Sequence, residues 1–337
     1  MSAALVMSLA SIGDAQTIPA GRGALNARLS GDLTATHDPV IAREGGTYYV
    51  FSTGSDKGRY LRSRTSTDLV HWTMQAPLVP AIPAWATKAV PGTTDMWAPD
   101  ISFFNGRWRL YYAVSTFGSN RSAIGLFTSP TLDPKAPGYG WRDEGLVVAS
   151  TDADDFNAID ANHVVDLDGR HWLSLGSFWT GIKLFALDPA TGKLRDPKAR
   201  PYSIARRLAP AGGPAPVEAP FIVPHGGYYW LFASYDYCCK GVNSTYYTVV
   251  GRAKAITGPY LGKDGSPLMH GQGTIFLRAD LQEKERFRGP GHPGFLHDSD
   301  GRDYMVYHAY DRANKGASTL RIAPVTWGVD GWPIADY

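Results

Sequence analysis

Sulfur is the first thing this chain has little of: two cysteines in 337 residues, and they are neighbours, Cys238 and Cys239. Adjacent strand residues point to opposite faces, so a disulfide framework is excluded, and two buried thiols are a simpler reading than a bridge between neighbours. An excess of either charge is lacking too. Lys and Arg number 33 against 31 Asp and Glu, a net +2, and the basic residues are scattered, which argues against a nucleic-acid partner. No apolar run approaches the length of a membrane span, so no membrane partner is expected.

What the chain does have is turn chemistry and rings. With 37 Gly, 24 Pro and 12% aromatic residues, the composition suits many short strands joined by tight turns. The stretch Asn157–Ser177 sets the pattern: an acid, Asp160, a short apolar run, an Asp-Gly turn, then a strand carrying Trp172, Leu173 and Leu175. It reads as a hairpin with an acid at its mouth.

Four more copies follow the same plan, around His37-Asp38, Met96-Trp97-Ala98-Pro99-Asp100, Glu218-Ala219-Pro220 and Gly289-Pro290-Gly291-His292. Their turn glycines, 46, 106, 169, 227 and 301, are spaced by 60, 63, 58 and 74 residues. Self-similarity at a long period in an all-strand sequence predicts radial repetition. The fold class expected is all-β, a five-bladed β-propeller with four antiparallel strands per blade. Residues 60–72, 122–128, 181–187, 246–253 and 318–327 read as outer strands of the five blades. The repeats tile residues 31–337, one catalytic domain. Residues 1–30 read as an arm outside the core, whose segment Met1 to Gln16 resembles a secretory signal lacking its basic start; this favours export to the exterior or periplasm.

In a propeller the innermost strands line a central channel, so residues at the mouths of the hairpins converge on one axis. Asp38, Asp160 and Glu218 are read at equivalent positions of blades one, three and four. Carboxylates crowded into one funnel repel, which separates their pKa values, and a pair with split values supplies the general acid and general base of glycoside hydrolysis. Trp97, Phe117, Phe178, Trp179 and Tyr235 are candidates for flat faces on which sugar rings stack. Singly each acid or ring is more often surface or core; recurrence at equivalent blade positions gives them weight.

Eight motifs in order over residues 35–330 carry a resemblance: His37-Asp38-Pro39, Met96-Trp97-Ala98-Pro99-Asp100, Ser115-Thr116-Phe117-Gly118 with Ser122-Ala123-Ile124-Gly125, Asn157-Ala158-Ile159-Asp160, Gly176-Ser177-Phe178-Trp179, Val217-Glu218-Ala219-Pro220, Cys238 through Tyr246, and Gly289-Pro290-Gly291-His292. Together they resemble the endo-1,5-α-L-arabinanases of glycoside hydrolase family 43. The resemblance implies inverting cleavage of arabinan, with Asp38 as general base, Glu218 as general acid and Asp160 orienting the acid and keeping its pKa raised. Inversion requires the base and acid to stand roughly 6.5–9.5 Å apart, leaving room for water. It further implies that His37, Trp97, Phe117, Asn157, Ser177, Trp179 and His292 line the sugar subsites. One structural calcium ion would be held in the channel by His292, with His308 as the competing ligand, and no organic cofactor is implied. Pro293 departs from the family's usual Asn after that histidine and removes a backbone donor there.

Other readings differ in their motifs. Fructan-cleaving five-bladed enzymes carry Asn-Asp-Pro-Asn at the first acid, where this chain has His37-Asp38-Pro39-Val40, and the only Arg-Asp-Pro, at Arg195, follows a loop turn. An α-L-arabinofuranosidase or β-xylosidase of the same family would share the three acids, often with an added β-sandwich domain that this reading does not expect. A non-catalytic carbohydrate-binding propeller would need no trio of acids. Exo action would require a loop closing the cleft, and the Pro-rich segments 76–95 and 209–217 are the candidates.

Overall fold

Five separate sheets account for nearly all regular structure in the computed structural model, which describes residues 24–54, 60–209, 215–281 and 286–337. Blade one holds β1 (Ser30–Gly31), β2 (Val40–Glu44), β3 (Thr47–Ser52), β4 (Arg62–Ser66) and β5 (His71–Met74). Blade two holds β6 (Trp97–Phe104), β7 (Arg107–Val114), β8 (Ser122–Ser129) and β9 (Arg142–Ser150). Blade three holds β10 (Asn162–Val165), β11 (His171–Leu175), β12 (Ile182–Leu187) and β13 (Tyr202–Ala205). Blade four holds β14 (Val217–His225), β15 (Tyr228–Tyr235), β16 (Tyr247–Ala253) and β17 (Thr274–Leu277). Blade five holds β18 (Phe287–His297), β19 (Asp303–Asp311), β20 (Ala317–Trp327) and β21 (Pro333–Ala335). In each blade four consecutive strands pair antiparallel in chain order, and β1 adds itself parallel to β5.

The predicted five-bladed propeller is therefore the fold, with one shift of assignment. The five segments read as outer strands are, beyond the first, the third strands β8, β12, β16 and β20. The rims are β9, β13, β17 and β21, which are half-exposed and carry weak alternation, as in the exposed, exposed, buried, buried pattern of Tyr202–Ala205. A strand touching solvent along its edge buries too little to leave a strong pattern.

Why the inner strands are apolar on both faces follows from how blades stack. Tyr112 and Val114 face blade one, whereas Tyr111 and Ala113, on the alternate positions of the same strand, face blade three. Period-two alternation thus points at two neighbours rather than at core and water. Five buried clusters result, one in each gap between blades. Two-residue turns such as Asn105-Gly106 and Gly226-Gly227 have positive φ at both positions, the primed geometry whose twist suits a tight hairpin.

The ring has to be closed between blades five and one. No strand from one end of the chain joins the other end's sheet among the described residues. The segment before blade one lies against β20 instead. Helix α1 (Ala24–Arg28) buries Asn26, whose carboxamide accepts the Ile322 N–H at 2.9 Å and donates to Tyr307 Oη at 3.2 Å. Leu33 O accepts the Leu320 N–H at 2.9 Å, and Leu25, Leu29 and Leu33 pack on the cluster shared by blades five and one. Part of the arm expected to lie outside the core is thus the clasp of the ring. The signal-like segment Met1 to Gln16 lies outside the described residues.

Neither thiol is buried, contrary to the sequence-based reading: Cys238 is half-buried, Cys239 exposed, and the two are joined as a disulfide between neighbours. The loop after β15 turns there, with Cys239 at φ +67°, so the side chains are not on opposite faces of a strand.

Removing the Asn26 carboxamide leaves the buried Ile322 N–H without its acceptor, a loss of about 1–3 kcal/mol. Asn26→Ala is expected to lower the thermal unfolding midpoint with the catalytic rate per folded molecule retained at low temperature. An unchanged midpoint would show that the ring is closed without it.

Candidate active site

One residue in each blade, near the start of its inner strand or, for His292, at the irregularity within β18, adopts the left-handed conformation: Asp38, Ala98, Asp160, Ala219 and His292, with φ between +42° and +59°. All five lie eight or nine residues before their turn glycine. Non-glycine residues avoid this region because Cβ crowds the carbonyl, so a fivefold recurrence marks a position set by the surrounding structure. The kink coincides with register shifts in β6, β14 and β18 and turns the local amide toward the preceding blade. The Asp38 N–H meets His308 Nδ1 at 3.2 Å, the Ala98 N–H meets Thr53 Oγ1 at 2.9 Å, and the His292 N–H meets Ser234 Oγ at 2.9 Å. The Ala219 N–H meets the Asp160 carboxylate at 3.1 Å.

This corrects one detail of the sequence reading. Asp38 and Asp160 are equivalent, but the equivalent of both in blade four is Ala219, so Glu218 stands one residue earlier. Its carboxylate accepts the Ser177 hydroxyl at 2.7 Å. Asp160, by holding the Ala219 amide, fixes the backbone next to Glu218.

Three acids and a histidine share the channel mouth, and their surroundings separate them. Burial is the largest influence on Asp38 and would raise its pKa, but the charge and hydrogen bond of His292, with help from His37, outweigh it and hold the carboxyl well below the usual range. His292 Nδ1 lies 3.0 Å from Asp38 Oδ1, and Thr53 donates to Oδ2 at 2.5 Å. Burial drives Asp160 up to about 8, against the His292 charge and with the charges of Glu218 and Asp38 adding. Burial also raises Glu218, opposed by the Ser177 hydrogen bond. For His292, burial disfavours the charge, yet Asp38 first and then Asp160 and Glu218 raise it to about 9. The arrangement holds one carboxylate toward its ionised form and pushes the other two toward their protonated forms within one mouth.

Of the other expected site residues, some converge and some do not. His37 stacks on His308 with centroids 4.2 Å apart, and its Nδ1 is 3.7 Å from Asp38. Ser177 is committed to Glu218. Asn157 is buried, its oxygen taken by Ser122 Oγ at 2.6 Å, a hydrogen-bonded residue between blades two and three. Trp97 is half-buried against that same interface. Trp179, at φ +42° and 36% exposed, and Phe117, 88% exposed in the loop after β7, are open to a ligand. Tyr235 is core: 1% exposed, its hydroxyl bonded to Gln272 O.

The sequence reading missed Thr53, Ser234 and Tyr310, although a signal existed for the first two. Thr53, Ser234 and His308 each stand seven residues after their turn glycine, a recurrence of polar residues in otherwise apolar strands.

Residues 33–333 match the glycosyl hydrolases family 43. The extracellular endo-α-(1→5)-L-arabinanase 1 of Bacillus subtilis is 43% identical over 298 residues, covering 88% of this chain and 86% of that protein. The crystal structure of an exo-1,5-α-L-arabinanase from a bovine ruminal metagenomic library superposes with a TM-score of 0.84 at 45% identity, covering 92% and 99% of the two chains. The family 43 endo-arabinanase of Bacillus licheniformis gives 0.81 at 46% identity, covering 91% and 99%. With nearly its whole length matched and the propeller in common, the chain belongs to glycosyl hydrolase family 43.

Proposed function

We propose that this protein hydrolyses α-1,5-linked L-arabinofuranosyl bonds of arabinan, endo-acting and with inversion. The observation that carries the reading is the split among the channel acids: Asp38 is held ionised while Glu218, in the same mouth, is pushed toward its protonated form. Asp38 as base takes a proton from the attacking water, Glu218 as acid gives its proton to the leaving oxygen, and the two transfers accompany one displacement at the anomeric carbon. Asp160 acts on Glu218 by holding the Ala219 amide, which fixes the backbone beside the acid. His37, Trp97, Phe117, Asn157, Ser177, Trp179 and His292 are proposed as the sugar-facing set. Of these Phe117 and Trp179 would offer ring faces directly, and Asn157 and Ser177 would act through their hydrogen bonds to Ser122 and Glu218.

An open cleft is favoured by the Pro-rich segment 76–95. Its helix α2 (Ala84–Ala89) packs on β8 and β9, and Trp85 Nε1 donates to Asp143 at 3.0 Å. The second candidate for a blocking loop, 209–217, falls largely outside the described residues. Export to the exterior or periplasm is proposed from the signal-like segment and suits a polymeric substrate. No helix among the described residues is long and apolar enough to cross a membrane.

The channel also suits one hydrated calcium ion. Its carboxylates make the mouth electronegative, as the rise of His292 to about 9 reflects, and His292, whose Nε2 makes no hydrogen bond to the described residues, would give up its ring charge to ligate the ion. The cluster of His37, Asp38 and His308 has its potential ligand atoms within 4.8 Å, but His308 Nδ1 accepts the Asp38 amide and His37 Nε2 bonds Tyr310. His292 is therefore the proposed ligand, and the ion would supply fixed positive charge to the carboxylates.

Asp38→Ala and Glu218→Ala should each lower kcat by about 10²–10⁴, and an aryl arabinofuranoside with a good leaving group, if accepted, should partly restore Glu218→Ala alone. Equal rescue of both would reverse the assignment. On linear arabinan, chromatography should show a spread of oligosaccharides early in the reaction; release of a single short product from the outset would make the enzyme exo-acting. Chelation should lower activity or the melting temperature modestly, and His292→Ala should remove that response. If His308→Ala removes it instead, the ligand is on β19.

A further inference from the structure

The bridge between Cys238 and Cys239 has no part in the chemistry described so far, yet two hydrogen bonds lead from it to His37, whose ring faces Asp38 at 3.7 Å. Its loop is closed on itself: Tyr237 O accepts the N–H groups of Thr245 and Tyr246 at 3.0 and 3.1 Å, and Ser244 Oγ accepts that of Lys240 at 3.1 Å. It is also pressed onto blade five. A Cβ on Gly289 would fall 2.7 Å from Ser244 Cβ and 3.2 Å from the Tyr310 ring, and one on Gly316 would fall 3.1 Å from Val242 N. From this seat Cys239 donates its backbone N–H to Tyr310 Oη at 2.8 Å.

Tyr310 Oη has two imidazoles within reach, His37 Nε2 at 3.1 Å and His308 Nε2 at 3.4 Å, but only one proton to give. Which ring receives it follows from the other contacts. His308 Nδ1 accepts the Asp38 amide, so that nitrogen is bare and the ring's proton is on Nε2, where it is a donor to Tyr310. The Cys239 N–H and the His308 Nε2–H are both given to the tyrosine oxygen, against which the Ser244 hydroxyl also lies as a donor. Its own proton is directed to His37 Nε2. His37 must in consequence carry its proton on Nδ1, the nitrogen that faces Asp38 Oδ1.

We propose that Tyr310, oriented by the disulfide-bridged loop through the Cys239 amide, is a positioning residue that fixes the His37 tautomer and thereby the aim of the Asp38 carboxylate. The inference rests on Asp38 being the base. Without the Cys239 donor one fixed contact of the tyrosine oxygen is lost, its hydroxyl is no longer held on His37, and the Nδ1 proton of His37 is no longer enforced. Reduction by a dithiol such as dithiothreitol should have this effect from outside. The reagent gives up two electrons and two protons and closes to its cyclic disulfide, while the Cys238–Cys239 bond breaks to two thiols. Cys239 is exposed to such a reagent.

The test combines kinetics on an arabino-oligosaccharide with long-range ¹H–¹⁵N spectra of the histidine rings, on the full chain. Dithiothreitol on the wild type, and Tyr310→Phe without it, should each lower kcat about tenfold with KM within twofold, the scale of an outer-shell partner of a reacting group. Tyr310→Phe should then be indifferent to dithiothreitol. The spectra should show His37 protonated at Nδ1 in the oxidised wild type and shifted toward the Nε2 form in the variant. A Cys238→Ser, Cys239→Ser double variant should match the reduced wild type, and if it fails to fold, the dithiol titration with Tyr310→Phe decides alone. An Nε2 tautomer in the wild type, an unchanged tautomer in Tyr310→Phe, a tautomer change with unaltered kcat, or an equal dithiol effect on wild type and variant would each overturn the proposal. Retained turnover in Asp38→Ala would instead remove the role of Asp38, and the tautomer measurement would still stand or fall by itself.

Discussion

A single backbone constraint, the left-handed residue where each inner strand reaches the channel mouth, underlies both the ring and the site within it. Closing five sheets around an axis brings five strand ends together, and straight strands there would point their amides at one another. The kink turns each amide outward to the neighbouring blade, where Thr53, Ser234, His308 and the Asp160 carboxylate receive four of them. The same turn swings the side chain into the mouth of the channel, which is why Asp38, Asp160 and His292 meet there although they are far apart in the chain. The cost of an unfavourable φ, of order 1–3 kcal/mol at each position, is offset by a buried hydrogen bond and by the packing of the five clusters between blades.

The second principle is that burial alone does not differentiate acids. It is the largest influence on Asp38, Asp160 and Glu218 alike, and it drives all three the same way. What separates them is placement around one cation. His292 is against Asp38 at 3.0 Å and Thr53 donates to the other oxygen, so that acid keeps its charge. Asp160 has a backbone amide and two like-charged neighbours, and rises. The histidine and the acids also stabilise one another: removing any member changes the protonation of the rest, so the mouth behaves as one titrating unit.

Much of this was legible in the repeats. The spacing of the turn glycines gave the number of blades, and the two-sided hydrophobicity of runs such as Arg107–Val114 gave strands packed between neighbours. The rim strands were not legible because a strand that buries one face weakly against a single neighbour has no distinctive period. Nor was the clasp. Asn26 precedes the first repeat and looks like any polar residue; its value comes from Ile322 and Tyr307, nearly 300 residues away. Cys238 and Cys239 were misread on the assumption of a strand, whereas the chain turns there.

The sequence by itself determined the fold class and the family motifs, and it pointed to three acids on one axis, because those depend on local period and on residue type at recurring positions. Tertiary structure alone decided that Glu218 is offset by one residue from Asp38 and Asp160, that Asn157 and Ser177 are bonded to Ser122 and Glu218, and that Tyr310 links the bridged loop to His37. The physical reason is that a hydrogen bond between blades joins residues whose separation in the chain is arbitrary. Periodicity reports which face a side chain takes, but only the closed ring determines what that face meets.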